Sequence, residues 1–165
     1  MRLDELSAVP GADIAPLLPG ECPELLVLQR CCWVQEAIAN DTLAIPALHE
    51  TLDDVRDWTR TWSTWRVRQG PRMIAAARAR LDGRTWELGR LMVAPDLAGR
   101  GLGRWLLSYV ENQAPADARR FTLFTGHRSI RNLELYQRAG YRPADMDHPA
   151  PGHIAGAVFL TKPRG

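Results

Sequence analysis

The chain has 165 residues, 45% of them hydrophobic, which suits one domain with a buried core spanning residues 1–165. Its 21 basic and 19 acidic residues are interspersed and leave a formal net charge of +2. This balance argues against a nucleic-acid-binding or membrane-surface protein and favours a small substrate.

Two further features bear on the compartment. No stretch approaches the roughly 20 apolar residues of a membrane span, and the N-terminus has no apolar core of signal length. Cys22, Cys31 and Cys32 are odd in number and lack metal-ligand spacing, so we expect reduced thiols. The sequence therefore predicts a cytoplasmic protein without a bound metal.

The first part of the chain predicts two helices after an irregular lead-in. Proline and glycine crowd residues 1–20, which leaves room for one short strand. Apolar residues recur at helical spacing from Pro23 to Ala39. A second helix is expected to begin at Thr51, which forms a capping arrangement with Asp54, and to end near Trp62.

An alternating pattern then predicts three consecutive antiparallel strands. They run from Thr64 to Arg68, from Arg72 to Leu81 and from Arg84 to Ala94. The dipeptide Asp82-Gly83 between the last two is a strong signal for a two-residue hairpin turn.

Helices and strands alternate in the rest of the chain. A helix with a buried face is expected from Leu102 to Val110, followed by a strand from Phe121 to Thr125. The next helix, Ser129 to Ala139, stops at Gly140, a residue suited to a left-handed cap. A last strand is expected from Ala157 to Thr161. These elements together predict a single α+β domain.

The turn between the third strand and the following helix is suited to binding phosphate. Gly99, Gly101 and Gly103 remove side-chain bulk, so backbone N–H groups can converge where the helix dipole favours negative charge. Arg100 and Arg104 could add charge-assisted hydrogen bonds to the same anion.

Two common phosphate motifs do not fit this turn. A nucleotide P-loop requires Gly-Lys followed by Ser or Thr, which is absent. A dinucleotide fingerprint that begins at Gly99 requires glycine where Arg104 stands, and one that begins at Gly101 requires glycine or alanine where Leu106 stands. A different phosphate-bearing ligand is therefore expected.

Two segments resemble the signatures of the GNAT (GCN-related N-acetyltransferase) superfamily. The acetyl-CoA signature is similar to Leu91-x-Val93-x-Pro95 followed by Gly99-Arg100-Gly101-Leu102-Gly103. The second signature is similar to Leu123-Phe124-Thr125-Gly126 followed by Asn132-Leu133-Glu134-Leu135-Tyr136-Gln137-Arg138-Ala139-Gly140-Tyr141. The resemblance covers roughly residues 64 to 142. It implies a mixed, mostly antiparallel central sheet flanked by helices, with a splayed strand pair that holds acetyl-CoA.

The resemblance also assigns cofactor contacts. The glycine turn would receive the diphosphate, the strand before it would hold the pantetheine arm, and the Val93 N–H is the predicted oxyanion donor. Ala98 stands where the family usually has Gln or Arg, and Ser129 where it often has Asn. The predicted cofactor-binding residues are Leu91, Met92, Val93, Ala98, Gly99, Arg100, Gly101, Leu102, Gly103, Arg104, Ser129 and Asn132.

Two residues are predicted to move protons. Glu87 lies six residues before Val93 on one strand, so we expect it on the same face, and its spacing resembles that of the general base in the histone-acetylating branch. It could instead be a solvent-facing strand residue. The resemblance places Tyr136 beside the sulfur as general acid, although an aromatic core residue would fit the same pattern. His127, His148 and His153 are second-choice bases; the last two lie in the loop from Pro143 to His153.

The predicted function is transfer of an acetyl group from acetyl-CoA to a primary amine of a small molecule. Two alternatives remain open: a protein or peptide acetyltransferase acting on lysine or an N-terminus, and a non-catalytic regulatory module that binds acetyl-CoA. The expected partner is a small-molecule or peptide amine, with no nucleic acid and no membrane, and the chain is expected to be a monomer or homodimer.

Overall fold

The protein is described here by a computed structural model covering residues 9–145 and 153–165. Its centre is a seven-stranded sheet in the order β1-β2-β3-β4-β5-β7-β6. The strands are β1 Ala12–Pro16, β2 Ser63–Gln69, β3 Arg72–Asp82, β4 Thr85–Val93, β5 Arg120–Thr125, β6 Arg142–Pro143 and β7 Val158–Pro163. The helices are α1 Cys22–Asn40, α2 Pro46–His49, α3 Leu52–Thr59, α4 Leu102–Asn112 and α5 Ile130–Arg138.

The sheet is mixed and mostly antiparallel, as predicted. Every neighbouring pair is antiparallel except β4 and β5, which run parallel. The predicted helices and strands are all present, whereas α2 and β6 were not predicted. Among residues 9–145 and 153–165, no helix has the length and apolarity needed to cross a membrane.

The start of α3 follows the predicted capping arrangement, but its end does not. The Thr51 hydroxyl accepts a hydrogen bond from the Asp54 N–H at 3.2 Å, and the Thr51 N–H donates to the Asp54 carboxylate at 2.7 Å. The helix ends at Thr59 and not near Trp62, because Trp62 is followed directly by β2, where the backbone is already extended.

The apolar stripe that predicted α1 lies on its outer side. Val27, Val34 and Ile38 are between 47% and 71% exposed, whereas Leu25 and Leu28 are buried in the core. The helix therefore has two apolar faces, and periodicity alone did not distinguish which one the sheet covers.

The predicted splay between β4 and β5 is confirmed. The two strands pair only from Thr85 to Glu87, opposite residues 120 to 122 of β5. Beyond Glu87 they separate, and β4 contains an irregularity at Arg90, whose φ is +48°. Such a left-handed conformation is uncommon outside glycine and marks a β-bulge with one extra residue.

The bulge changes which face each residue of β4 occupies. Glu87 pairs with Arg80 and Val93 pairs with Ala75. Cross-strand partners have side chains on the same face of the sheet. Arg80 and Ala75 are five residues apart on β3, so their side chains point to opposite faces. The prediction that the Glu87 and Val93 side chains share a face is therefore wrong, because Arg90 inserts one residue between them.

The two faces of the sheet have different coverings. On one face, the Trp86 indole donates a hydrogen bond to the Val110 carbonyl of α4 at 3.0 Å. On the other face, α1 packs against β3 and β4, and the ring of Trp58 from α3 lies over the guanidinium of Arg78. The guanidinium of Arg80 stacks 4.3 Å from the ring centre of Trp62. Glu87 belongs to this second face.

Candidate active site

The glycine turn has the backbone conformation that its sequence predicts. Gly99 and Gly101 have φ values of +79° and +87°, and Gly101 is the N-cap of α4. Residues other than glycine rarely adopt this backbone conformation. The N–H groups of the first turn of α4 have no partner within the helix and favour an anion.

Three arginines surround this turn. Arg100 and Arg104 are exposed, and a methyl group on Gly99 would lie 3.3 Å from the Nη2 atom of Arg131. Within the described residues, none of the three arginines forms an ion pair. The surplus positive charge suits a diphosphate. Arg131 was not predicted, because it comes from α5, far from the turn in sequence.

An ion pair fixes the chain just before the glycine turn. Arg72, at the start of β3, donates two hydrogen bonds to the carboxylate of Asp96, at 2.8 and 2.7 Å. The Arg72 guanidinium lowers the pKa of Asp96 to about 2. The carboxylate is therefore ionised at neutral pH, and the pair ties the turn to the sheet.

The main chain of Val93 faces the gap between β4 and β5. The Ala94 N–H donates to the Ile74 carbonyl of β3 at 2.8 Å. Neighbouring residues of an antiparallel strand point their polar groups in opposite directions, so the Val93 N–H and C=O point away from β3. The Cys32 thiol donates to the Val93 carbonyl at 3.2 Å, and burial raises the pKa of Cys32 to about 12.

Some predicted cofactor residues can offer only their backbone. The side chains of Met92 and Leu102 are 0% and 1% exposed and belong to the core. Leu91 is half-buried, and Ala98 is exposed. Gly103 lies in the first turn of α4, where an added methyl group would lie 3.7 Å from the Val93 side chain.

The side chains of Ser129 and Asn132 contact α1. Both donate hydrogen bonds to the Glu36 carboxylate, Asn132 at 2.9 Å. Asn40 donates to the Ser129 hydroxyl at 2.9 Å and accepts a hydrogen bond from the Arg128 N–H at 3.1 Å. Glu36 and Asn40 were not predicted, since nothing in α1 alone indicates that its last turns meet the segment after β5.

Tyr136 lies beside this cluster and is 6% exposed. Burial, and then the charge of Glu36, raise its pKa well above the usual value of 10. Its ring packs edge to face against Tyr141, with centroids 6.1 Å apart. The phenol is therefore protonated at physiological pH, which is the state that a general acid needs before the reaction.

The predicted base, Glu87, is paired. Its carboxylate accepts a hydrogen bond from the Arg80 Nε at 2.8 Å, and its side chain is 19% exposed. It is a partly covered strand residue on the α3 face of the sheet.

A second glutamate forms the centre of an adjacent network. Glu50, directly after α2, accepts hydrogen bonds from Gln29 at 2.7 Å, from the Trp58 indole at 3.1 Å and from Arg90. The Arg90 side chain is 8% exposed and lies 5.2 Å from the ring centre of Trp33. This ion pair holds the bulge of β4 against α1 and α3.

Of the three histidines considered as bases, His153 faces the site. Its ring stacks on Phe124 of β5 with centroids 3.9 Å apart. Although the residue as a whole is exposed, desolvation of the ring, then Arg90 and Arg78, lower its pKa to about 4. His127 is exposed, and His148 lies outside the described residues. Within the described part of the chain, no three His, Cys, Asp or Glu residues form a group that could hold a metal ion.

A comparison with known families matches residues 25–141 to the acetyltransferase (GNAT) family. The chain belongs to the GNAT acetyltransferase family. The predicted membership is thereby confirmed. The first of the two predicted signatures covers the end of β4 and the glycine turn, and the second runs from β5 through α5.

Individual proteins with a similar GNAT fold or sequence were also found. An acetyltransferase from Thermus thermophilus is 21% identical, with a TM-score of 0.72 over 94% of this chain and 99% of that one. YncA from Salmonella typhimurium, solved with acetyl-CoA, is 17% identical, with a TM-score of 0.69 over 93% and 94% of the two chains. The UPF0157 protein YqkA of Bacillus subtilis is 25% identical over 141 residues, which are 86% of this chain and 40% of YqkA.

Proposed function

We propose that this chain is an acetyl-CoA-dependent N-acetyltransferase that transfers the acetyl group to a primary amine of a small molecule. The observation that carries the proposal is the gap between β4 and β5, into which the Val93 main chain points. The gap opens beside the glycine turn, so one ligand can reach both.

The residues around the gap fit the coenzyme. The first-turn N–H groups of α4 receive the diphosphate, with Arg100, Arg104 and Arg131 supplying positive charge around it. The backbone from Leu91 to Val93 holds the pantetheine arm. When bound, acetyl-CoA supplies an activated thioester and a thiol leaving group.

Three groups carry the chemistry in this proposal. Glu87 accepts a proton from the acceptor ammonium, directly or through a water, so that the amine becomes nucleophilic. The Val93 N–H donates to the carbonyl oxygen of the thioester as negative charge develops. Tyr136 gives its proton to the sulfur as the C–S bond breaks and the amide bond forms. The N–H of Val93 lies in the plane of the sheet, so the opposite orientations of the Glu87 and Val93 side chains do not prevent both residues from acting on one ligand.

The surroundings of the gap favour a compact acceptor. Trp33, Trp58 and Trp62 are half-buried side chains on the α1 and α3 side, and Phe124 with His153 flank the β5 side. Bulky rings on both sides leave less room for an extended peptide. A peptide acetyltransferase would instead turn over lysine peptides with a kcat/KM equal to or above that of free amines.

The proposed roles of Glu87 and Tyr136 can be tested together. We expect Glu87→Gln and Tyr136→Phe each to lower kcat at least tenfold and to change the Kd for coenzyme A less than twofold. Release of the coenzyme A thiol gives kcat, and calorimetry gives Kd. Glu134→Gln is the matched control, because this carboxylate is 54% exposed on the helix that carries Tyr136.

Wild-type rates in both variants would contradict the assigned roles. Coenzyme A binding with no turnover on polyamines, aminoglycosides, amino acids or peptides would instead favour the regulatory module.

A further inference from the structure

Five charged side chains lie close together on the α3 face of β3 and β4. Arg80 pairs with Glu87, and Arg90 pairs with Glu50. The remaining one, Arg78, forms neither an ion pair nor a hydrogen bond within the described residues. Three guanidinium groups thus face two carboxylates, and the cluster has one unmatched positive charge.

The guanidinium of Arg78 is held in place by aromatic rings. Its Cζ atom lies 4.4 Å from the ring centre of Trp58 and 4.1 Å from that of Trp62. Its Nε atom is fully buried without a hydrogen-bond acceptor. A methyl group on Gly89, the residue opposite in β4, would lie 3.3 Å from that atom. The side chain is therefore fixed before any ligand arrives.

A buried cation without a counterion is costly for a folded protein. Burial, and then the neighbouring charge of Arg90, lower the pKa of Arg78 to about 9. The group is still mostly protonated at neutral pH, so the unfavourable charge persists. An anion brought by a ligand would relieve this cost.

We propose that Arg78 binds a carboxylate of the acceptor, so that the acceptor carries both an amine and a carboxylate. This inference rests on the proposed function. A planar guanidinium matches a carboxylate through two parallel hydrogen bonds. The single unmatched positive charge matches a monoanion, and it disfavours polycationic acceptors such as polyamines.

The position of Arg78 also fits an acceptor that reaches the gap. Arg78 lies on the same face as Glu87 and is three residues from Ala75, the partner of Val93. Three strand residues span about 10 Å. A compact amino acid is long enough to bridge this separation while the arginine side chain stays between the two tryptophans.

The first test compares acceptors that differ in one group. Among α-, β-, γ- and ε-amino acids, we expect kcat/KM to be highest at one chain length. At that length, the kcat/KM of the amino acid should exceed that of its carboxamide at least tenfold. Arg78→Gln should abolish this preference through KM, with kcat changed less than threefold. Arg78→Lys should restore part of it. Arg60→Gln, at an arginine that is 75% exposed, is the control.

Equal kcat/KM values for acids and amides with the wild-type protein would overturn the inference while leaving the proposed function intact. A tenfold preference for phosphoethanolamine over every amino acid would also overturn it, in favour of a phosphate. Both comparisons use the wild-type protein, so they test the inference even if Arg78→Gln does not fold.

A second test is independent of turnover. Calorimetry in the presence of coenzyme A measures the binding of 6-aminohexanoate and of its carboxamide. At least tenfold tighter binding of the acid, lost in Arg78→Gln, supports the carboxylate site even if no amine is acetylated. Equal affinities of the two compounds, with no acid preference in the turnover panel, would refute it.

Discussion

Cys31 and Cys32 are neighbours on α1 with different surroundings. Cys31 is exposed, whereas the Cys32 thiol donates a hydrogen bond to the Val93 carbonyl beside the gap. Burial raises the pKa of Cys32 to about 12. At pH 7 Cys32 is therefore almost entirely the unreactive thiol. A single turn of helix thus carries one accessible thiol and one that serves as a hydrogen-bond donor.

This difference predicts the labelling of the native protein. We expect one of the three cysteines, Cys31, to react rapidly with iodoacetamide at pH 7, because Cys22 is buried as well. Peptide mapping by mass spectrometry identifies the labelled residue. Cys31→Ser should remove the rapid phase. Rapid labelling of Cys32 would show that its thiol is not held at Val93.

At the scale of elements, the end of α1 is fastened to the turn after β5. Asn40 contacts both Ser129 and the Arg128 N–H. Its side chain comes so close to Gly126 that a methyl group there would lie 2.5 Å from the Asn40 oxygen. Position 126 therefore requires glycine, because Asn40 leaves no room for a side chain. The same contacts join α1 to the start of α5 at the splayed end of the sheet.

This contact predicts a coupled pair of substitutions. We expect Gly126→Ala to lower the free energy of unfolding by about 1–3 kcal/mol, because the methyl group overlaps the Asn40 amide. Asn40→Ala removes the obstacle, so the double variant should lose less than the sum of the single changes. Urea unfolding measures all four proteins. Additive losses would indicate that the two residues do not touch in solution.

The elements were largely predictable from local patterns, but their contacts were not. Thr51 and Asp54 mark the start of α3, and Asp82-Gly83 marks the hairpin, because caps and turns depend on residues close in sequence. The bulge at Arg90 has no such local signal. Its conformation is held by Glu50, which comes from a different part of the chain.

The same limit applies to the site. The conformation of the glycine turn was predictable because it follows from a continuous segment. Three other residues were not predictable, because each contacts residues of another element. Glu36 contacts Ser129, Arg78 contacts the tryptophans around α3, and Arg131 lies close to Gly99.

For the whole molecule, buried phenols link stability to alkaline pH. Burial raises the pKa of Tyr136 and Tyr141 well above the usual value of 10. In the unfolded chain both phenols ionise near pH 10, whereas in the folded protein they keep their protons. The stability they contribute is therefore complete below pH 10 and is lost as the pH rises further.

We expect the free energy of unfolding to fall steeply between about pH 9.5 and 11, as measured by urea unfolding. Tyr136→Phe should make this decline shallower, because phenylalanine has no proton to lose. Lys162, Arg78 and the cysteines are present in both proteins, so the difference between the two slopes reports on Tyr136. An unchanged slope in the variant would mean that Tyr136 ionises in the folded protein as it does in the unfolded chain.

The extra residue in β4 changes which face of the sheet the side chains of this strand occupy. Before Arg90, Glu87 and Gly89 point towards the tryptophan-lined side, whereas after it the Val93 side chain points towards α4. Substitutions at positions 87 and 89 therefore remodel a different surface from substitutions at position 93. An engineer could thus vary the tryptophan-facing half of the strand while leaving the packing of α4 unchanged.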